Sequence, residues 1–265
     1  MSDPRPIGIF DSGIGGLTVL AALERRLPGE RFLYLGDTAR LPYGTKSPET
    51  VTRYALCAAA FLSRLDVKLL VVACNTASAA ALGALVAALP VPVIGVVEPG
   101  ARRAAAAARA KVGVIATEST IASGAYPRAL HAARGDLDVV SQACPLFVPL
   151  AEEGWLDHPV TREVARIYLE PLVAAGIDTL ILGCTHYPLL RPAILAVTGD
   201  AVRLVDSAEA VAESVAGELA SRGLEGRDGG GHRVLVTDAA ARFDRIAGLI
   251  LDRAVSHLEL VDLAD

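Results

Sequence analysis

Cys74 and Cys184 are the residues of this 265-residue chain best suited to chemistry. Cys74 stands near the end of LLVVACNT (residues 69–76) and Cys184 near the end of TLILGCTH (residues 179–186). Aligned on sulfur, each run has apolar residues, a small residue, the thiol and a polar pair. Open α/β sheets bind ligands at the carboxyl ends of their strands, which is where both thiols would stand. Two thiols at two such ends could face one small molecule from opposite sides. That suits a reaction that removes a proton from one face of a carbon and returns one to the other. A free thiol ionises near pH 8.5, so near neutrality the thiolate is a minority unless the surroundings help. Most free cysteines are small buried packing residues, and Cys57 and Cys144 are read that way.

The elements that must carry these residues alternate between strand and helix from end to end. Strand patterns fall at residues 7–10, 32–35, 68–73, 93–97, 112–116, 137–140, 179–182, 202–205 and 233–237. Helical spacing fills residues 17–27, 49–65, 77–89, 121–133, 160–175 and 208–221, with a closing helix after the last strand. The segment 223–231 reads as a Gly-rich link, and Glu98-Pro99-Gly100 as the end of a strand. The predicted fold class is α/β with mostly parallel sheets. The pattern also restarts: IGIFDS at 7–12 matches VGVIAT at 112–117, and the Cys74 run matches the Cys184 run. Two half-units in one order imply two lobes related by a pseudo-twofold axis, with a cleft between them. The expected division is residues 1–97 with 208–265 for one lobe and 98–207 for the other, the chain crossing near Glu98-Pro99-Gly100 and Asp206-Ser207.

Composition narrows the function class. The chain is 52% apolar and 21% charged with a net charge of −5, and its basic residues form no run beyond Arg25-Arg26 and Arg102-Arg103. Nucleic acid and anionic membrane are therefore poor partners. Residues 69–97 carry no charge, but Asn75, Thr76, Ser78, Pro90 and Pro92 divide them into strand, helix and strand rather than a membrane span. The first residues lack a basic-then-apolar leader. The expected location is the cytoplasm, where the cysteines would remain thiols. CxxC, HExxH and Cys/His clusters are missing, so no metal is expected.

Seven segments, FDSGIGGLTVL (10–20), YLGDTARLPYGTKS (34–47), ACNTAS (73–78), GVVEPG (95–100), GVIATESTIASGAY (113–126), FVPLAEEGW (147–155) and GCTHYPLL (183–190), carry a resemblance along almost the whole chain. In this order they resemble the glutamate racemases of the cofactor-independent aspartate/glutamate racemase superfamily. The resemblance implies proton exchange at Cα of glutamate without pyridoxal phosphate or metal, to supply D-glutamate for the bacterial wall. It also implies a homodimer. It assigns Cys74 to the D enantiomer and Cys184 to the L, with Asp11, His186 and Glu152 as candidates for tuning the thiols.

The substrate carries two carboxylates and an ammonium, so its site needs donors. Asp11-Ser12-Gly13-Ile14-Gly15-Gly16 offers backbone N–H groups at a helix start. Asn75 with Thr76 and Thr185 with His186 offer more from the two cysteine loops. Pro42-Tyr43-Gly44 resembles the family's loop over the side-chain carboxylate, and Thr117, aligned by the repeat with Ser12, joins the substrate-contacting set. Asp11 and Gly13–Gly16 alone would also suit a helix cap and a tight turn. Three rivals stay open: a racemase of the same superfamily acting on aspartate or a hydantoin, a non-catalytic two-lobed amino-acid binder, and a thiol hydrolase or transferase using one cysteine with a histidine base.

Overall fold

The strands form two parallel sheets in a computed structural model that describes residues 2–227, 229, 231–251, 253, 255 and 257–263. Asp228 and Gly230 of the expected Gly-rich link, and the chain ends Met1, Ala264 and Asp265, lie outside the described residues. The first sheet has six strands in the order β10-β9-β2-β1-β3-β4. These are β1 (Ile7–Asp11), β2 (Phe32–Gly36), β3 (Leu69–Val72), β4 (Val93–Gly95), β9 (Arg233–Val236) and β10 (Leu258–Leu260). The second has four in the order β6-β5-β7-β8, from β5 (Lys111–Ala116), β6 (Asp138–Ala143), β7 (Thr179–Gly183) and β8 (Arg203–Asp206). Central strands β1, β3 and β7 are buried along their whole length, as expected when helices cover both faces of a parallel sheet.

The repeat is written into strand order and register. β2-β1-β3-β4 in the first sheet corresponds to β6-β5-β7-β8 in the second. Phe10 pairs with Val72, and their repeat partners Ile115 and Leu182 pair in the same way. Both cysteines therefore follow equivalent strands at equivalent heights.

Helices α1 (Leu17–Arg26) and α10 (Ser207–Arg222) cover one face of the first sheet with Leu20, Leu23, Val211 and Val215. On the other face lie α2 (Pro48–Arg64) and α3 (Asn75–Ala88), packed through Val51, Ala55, Leu62, Ala81 and Leu85. The second sheet is covered by α4 (Val97–Ala107) and α6 (Ala125–Ala133) on one face and by α8 (Pro159–Ala174) and α9 (Arg191–Thr198) on the other.

Four local expectations need correction. Glu98-Pro99-Gly100 does not end a strand but lies in the first turn of α4, where proline loses nothing because first-turn N–H groups have no helical acceptor. Helix α3 starts at Asn75 rather than at residue 77, because the Cys74 thiol caps it by accepting from Ala77 N–H at 3.4 Å. The expected helix over 121–133 is two, α5 (Glu118–Ala122) and α6, broken at Gly124 with φ of 64°. Finally α7 (Phe147–Glu152), α9 and β10 lie where sequence spacing suggested no element.

Candidate active site

Every residue singled out near a strand end falls on one side of the two sheets. β1 ends at Asp11 and leads through Ser12 and Gly13–Gly16 into α1, while Cys74 lies two residues past the end of β3. From the other sheet, β5 delivers Thr117, the N-cap of α5, and β7 delivers Cys184, Thr185 and His186.

Cys74 is buried, and its thiol donates to Ser12 Oγ at 3.4 Å. Burial pushes this thiol up to about 12, with the Asp11 carboxylate the next contributor. The Ser12 hydroxyl and the Ala77 N–H oppose the rise, and charge on Cys184 would add to it. The two sulfurs are thus within electrostatic reach of each other. Near neutral pH Cys74 is a protonated thiol, an acid rather than a base.

Cys184 has different company. Its Sγ lies 3.8 Å from His186 Nδ1, and His186 Nε2 lies 3.2 Å from Glu152 Oε1, an ion-pair contact outside hydrogen-bond alignment. Burial works against a charged imidazole here, but Cys184 and Glu152 outweigh it and carry the His186 pKa to about 10. Glu152 comes from the last residue of α7. Cys184, His186 and Glu152 form a line along which a proton can be passed or a charge compensated.

Asp11 is fully buried. Its Oδ2 accepts from Gly13 N–H at 2.9 Å, and its Oδ1 has no partner among the described residues. Burial raises its pKa first of all, the His186 charge opposes this, and Glu152 adds to the rise. A carboxylate so placed is a good proton acceptor and a poor permanent charge.

The two strand-end groups touch. A Cβ on Gly15 would lie 2.3 Å from Thr185 Oγ1 and 2.6 Å from His186 Nδ1. A Cβ on Gly44 would meet Thr117 Cβ at 2.7 Å. Thr76, Thr117 and Thr120 close a triangle of hydroxyls with oxygen separations of 3.0, 3.1 and 2.9 Å. The repeat breaks here: Ser12 sits beside the cysteine of its own sheet, whereas Thr117 reaches across to Thr76.

Tyr43 spends its side chain within its own half of the protein. Its ring is buried near Phe10 and Tyr54, and its hydroxyl donates to Asp37 Oδ2 at 2.5 Å. What Tyr43 can offer a ligand is its backbone, between the exposed Pro42 and the half-buried Gly44. Two residues escaped the sequence reading. Thr120 was detectable as the residue three after the capping Thr117. Tyr126, whose hydroxyl donates to Asn75 Oδ1 at 2.6 Å, left no signal because its partner is 51 residues away. A cavity of about 620 Å³ lined by Arg102, Arg103, Arg191, Arg203 and Glu213 touches neither thiol.

Known proteins share the sequence and fold of this chain along nearly its whole length. The family described as Asp/Glu/Hydantoin racemase matches residues 8–215. A glutamate racemase from Geobacter metallireducens is 55% identical over 265 residues, covering 98% of this chain and 97% of its own. The crystal structure of glutamate racemase isoform RacE1 from Bacillus anthracis superposes with a TM-score of 0.94 at 41% identity, covering 98% of both chains. That of a Francisella tularensis glutamate racemase in complex with D-glutamate gives 0.93 at 39% identity, again covering 98% of both.

Proposed function

Because the chain belongs to the Asp/Glu/Hydantoin racemase family, we propose that it interconverts L- and D-glutamate by two-base proton transfer between Cys74 and Cys184. The observation that carries this reading is the pair of buried thiols on equivalent strands of two sheets, each beside a polar partner.

With L-glutamate bound, the Cys184 thiolate takes the Cα proton and the C–H electron pair stays on Cα, spread into the adjoining carboxylate. The Cys74 thiol then gives its proton to the opposite face. The product is D-glutamate, with Cys184 protonated and Cys74 ionised, and solvent exchange restores the starting state. The reverse direction exchanges the roles. A Cys74 thiol near 12 suits proton donation, and His186 with Glu152 stabilises or relays charge at Cys184. Asp11 does the corresponding work on the Cys74 side. Backbone N–H groups of the Ser12–Gly16 turn, with Asn75, Thr76, Thr117 and Thr185, hold the substrate's charged groups, and the loop at Pro42, Tyr43 and Gly44 covers the side-chain carboxylate. Donors fixed before the reaction stabilise developing charge without having to reorganise. The chemistry asks for no metal or organic cofactor.

Identity of 55% along nearly the whole length to a glutamate racemase favours glutamate over aspartate or a hydantoin. The Cys184–His186–Glu152 line would also suit a thiol hydrolase, but that reading leaves Cys74 idle.

The rest of the proposal is contextual. The protein would work in the cytoplasm as a homodimer and feed D-glutamate to wall synthesis. Four cysteines without disulfides are in keeping with that location, and among the described residues no helix is long and apolar enough to cross a membrane. The two-lobe division at residues 1–97 with 208–265 and 98–207 belongs to the same proposal. It is supported by α4 packing on the second sheet and α10 on the first.

The test is α-proton exchange in heavy water without added cofactor. Both glutamate enantiomers are expected to gain deuterium, faster than aspartate, and Cys74→Ser or Cys184→Ser should lower racemisation at least a thousandfold. Folded protein that leaves both enantiomers unlabelled would overturn the reading.

A further inference from the structure

We infer that Tyr126 is a positioning residue that holds the two thiol loops in fixed relation and fixes the amide orientation of Asn75. The inference rests on the racemase reading above and deepens it.

Tyr126 is fully buried at the start of α6 and touches both cysteine loops. Its hydroxyl donates to Oδ1 of Asn75, the residue after Cys74, at 2.6 Å. The edge of its ring closes on Gly183, the residue before Cys184: a Cβ there would meet Tyr126 Cε2 at 2.9 Å. A third element enters through Ser207, the first residue of α10, whose Oγ is 3.2 Å from the Tyr126 hydroxyl.

The donor order follows from counting hydrogens. Tyr126 has one O–H, and the amide oxygen of Asn75 can only accept. Ser207 must therefore donate to Tyr126 and Tyr126 to Asn75. The chain ends on the amide oxygen, so the Asn75 NH₂ group takes no part in it and stays available as a donor. Without the tyrosine hydroxyl, the buried Asn75 oxygen loses its partner and the amide has no reason to prefer one of its two orientations. An unmade buried hydrogen bond costs about 1–3 kcal/mol, and about 1.4 kcal/mol is tenfold in affinity. The effect passes through Asn75, so it must vanish when Asn75 is removed. A merely structural tyrosine would show no such dependence.

The experiment is a double-mutant cycle of Tyr126→Phe and Asn75→Ala, read by calorimetric D-glutamate binding and by steady-state racemisation. The Tyr126→Phe variant keeps the ring against Gly183. It is expected to weaken binding and raise KM about tenfold while changing kcat less than threefold. In the Asn75→Ala background the same change should cost less than twofold. Equal costs in both backgrounds, or no loss in either, would overturn the inference. Should Tyr126→Phe fail to fold, Ser207→Ala replaces it. The Tyr126–Asn75 bond then stays in place, so a loss of about threefold or less is expected that disappears in the Asn75→Ala background. An equal loss in both backgrounds overturns the inference. If the unsubstituted protein binds no glutamate, the racemase reading falls and takes this one with it. Binding that is indifferent to Tyr126 removes the positioning role alone.

Discussion

Asp11, proposed above to serve the Cys74 side of the site, shows how such a group can cost stability. Burial raises its pKa, so the folded protein holds that proton more tightly than the unfolded chain does. Its contribution favours the fold at low pH and is lost as pH rises from the ordinary carboxylate value through the raised one. At neutral pH an ionised Asp11, with Oδ1 unpartnered, is a liability to the fold. Asp11→Asn keeps an acceptor for Gly13 N–H and removes the buried charge. The variant is expected to melt a few degrees higher at pH 7.5, with the gain shrinking toward pH 4, and to lose at least tenfold in turnover. Thermal melts across that range, paired with racemisation rates, check both halves.

At the scale of elements, strand-end turns of the two sheets meet at Gly15. Gly15→Ala would drive a methyl into Thr185 and His186. Misplacement by about 1 Å can cost two orders of magnitude, so kcat/KM should fall about a hundredfold. Gly83→Ala is the contrast: its Cβ meets nothing within 4 Å on the exposed side of α3, and should add up to about 1 kcal/mol of stability with activity unchanged. Elements such as β1, β3, β5 and β7 were legible because their apolar runs are buried on both faces. Cys74, Cys184 and the turn after Asp11 were legible because strand ends fix them locally. The first turn of α4 was not: Glu98-Pro99-Gly100 reads as a turn until the packing of Val97 and Ala101 on the second sheet makes it a helix. The Tyr126–Asn75 and Thr76–Thr117 bonds were invisible for another reason, since they join residues that only the facing of two sheets brings together.

Across the whole molecule, one buried ion pair ties distant stretches of the first sheet's surroundings. Lys68 Nζ lies 2.6 Å from Glu30 Oε2 and donates to the Asp3 carbonyl at 2.9 Å, while Gly226 N–H donates to Glu30 Oε1 at 2.5 Å. Both side chains are almost wholly buried. Lys68→Ala strands a carboxylate in the interior and is expected to cost about 3–5 kcal/mol, which urea unfolding would measure as a lower midpoint at unchanged slope. The matched strand orders of the two sheets have a different consequence. A single parallel sheet sends every strand tip the same way, so whatever groups it offers approach a ligand from one quarter only. On the two-base reading proposed above, repeating the unit and turning the copies toward each other would give a planar intermediate a neighbour above and a neighbour below. The two neighbours would not be equals, since Ser12 and Asp11 attend one thiol while His186 and Glu152 attend the other.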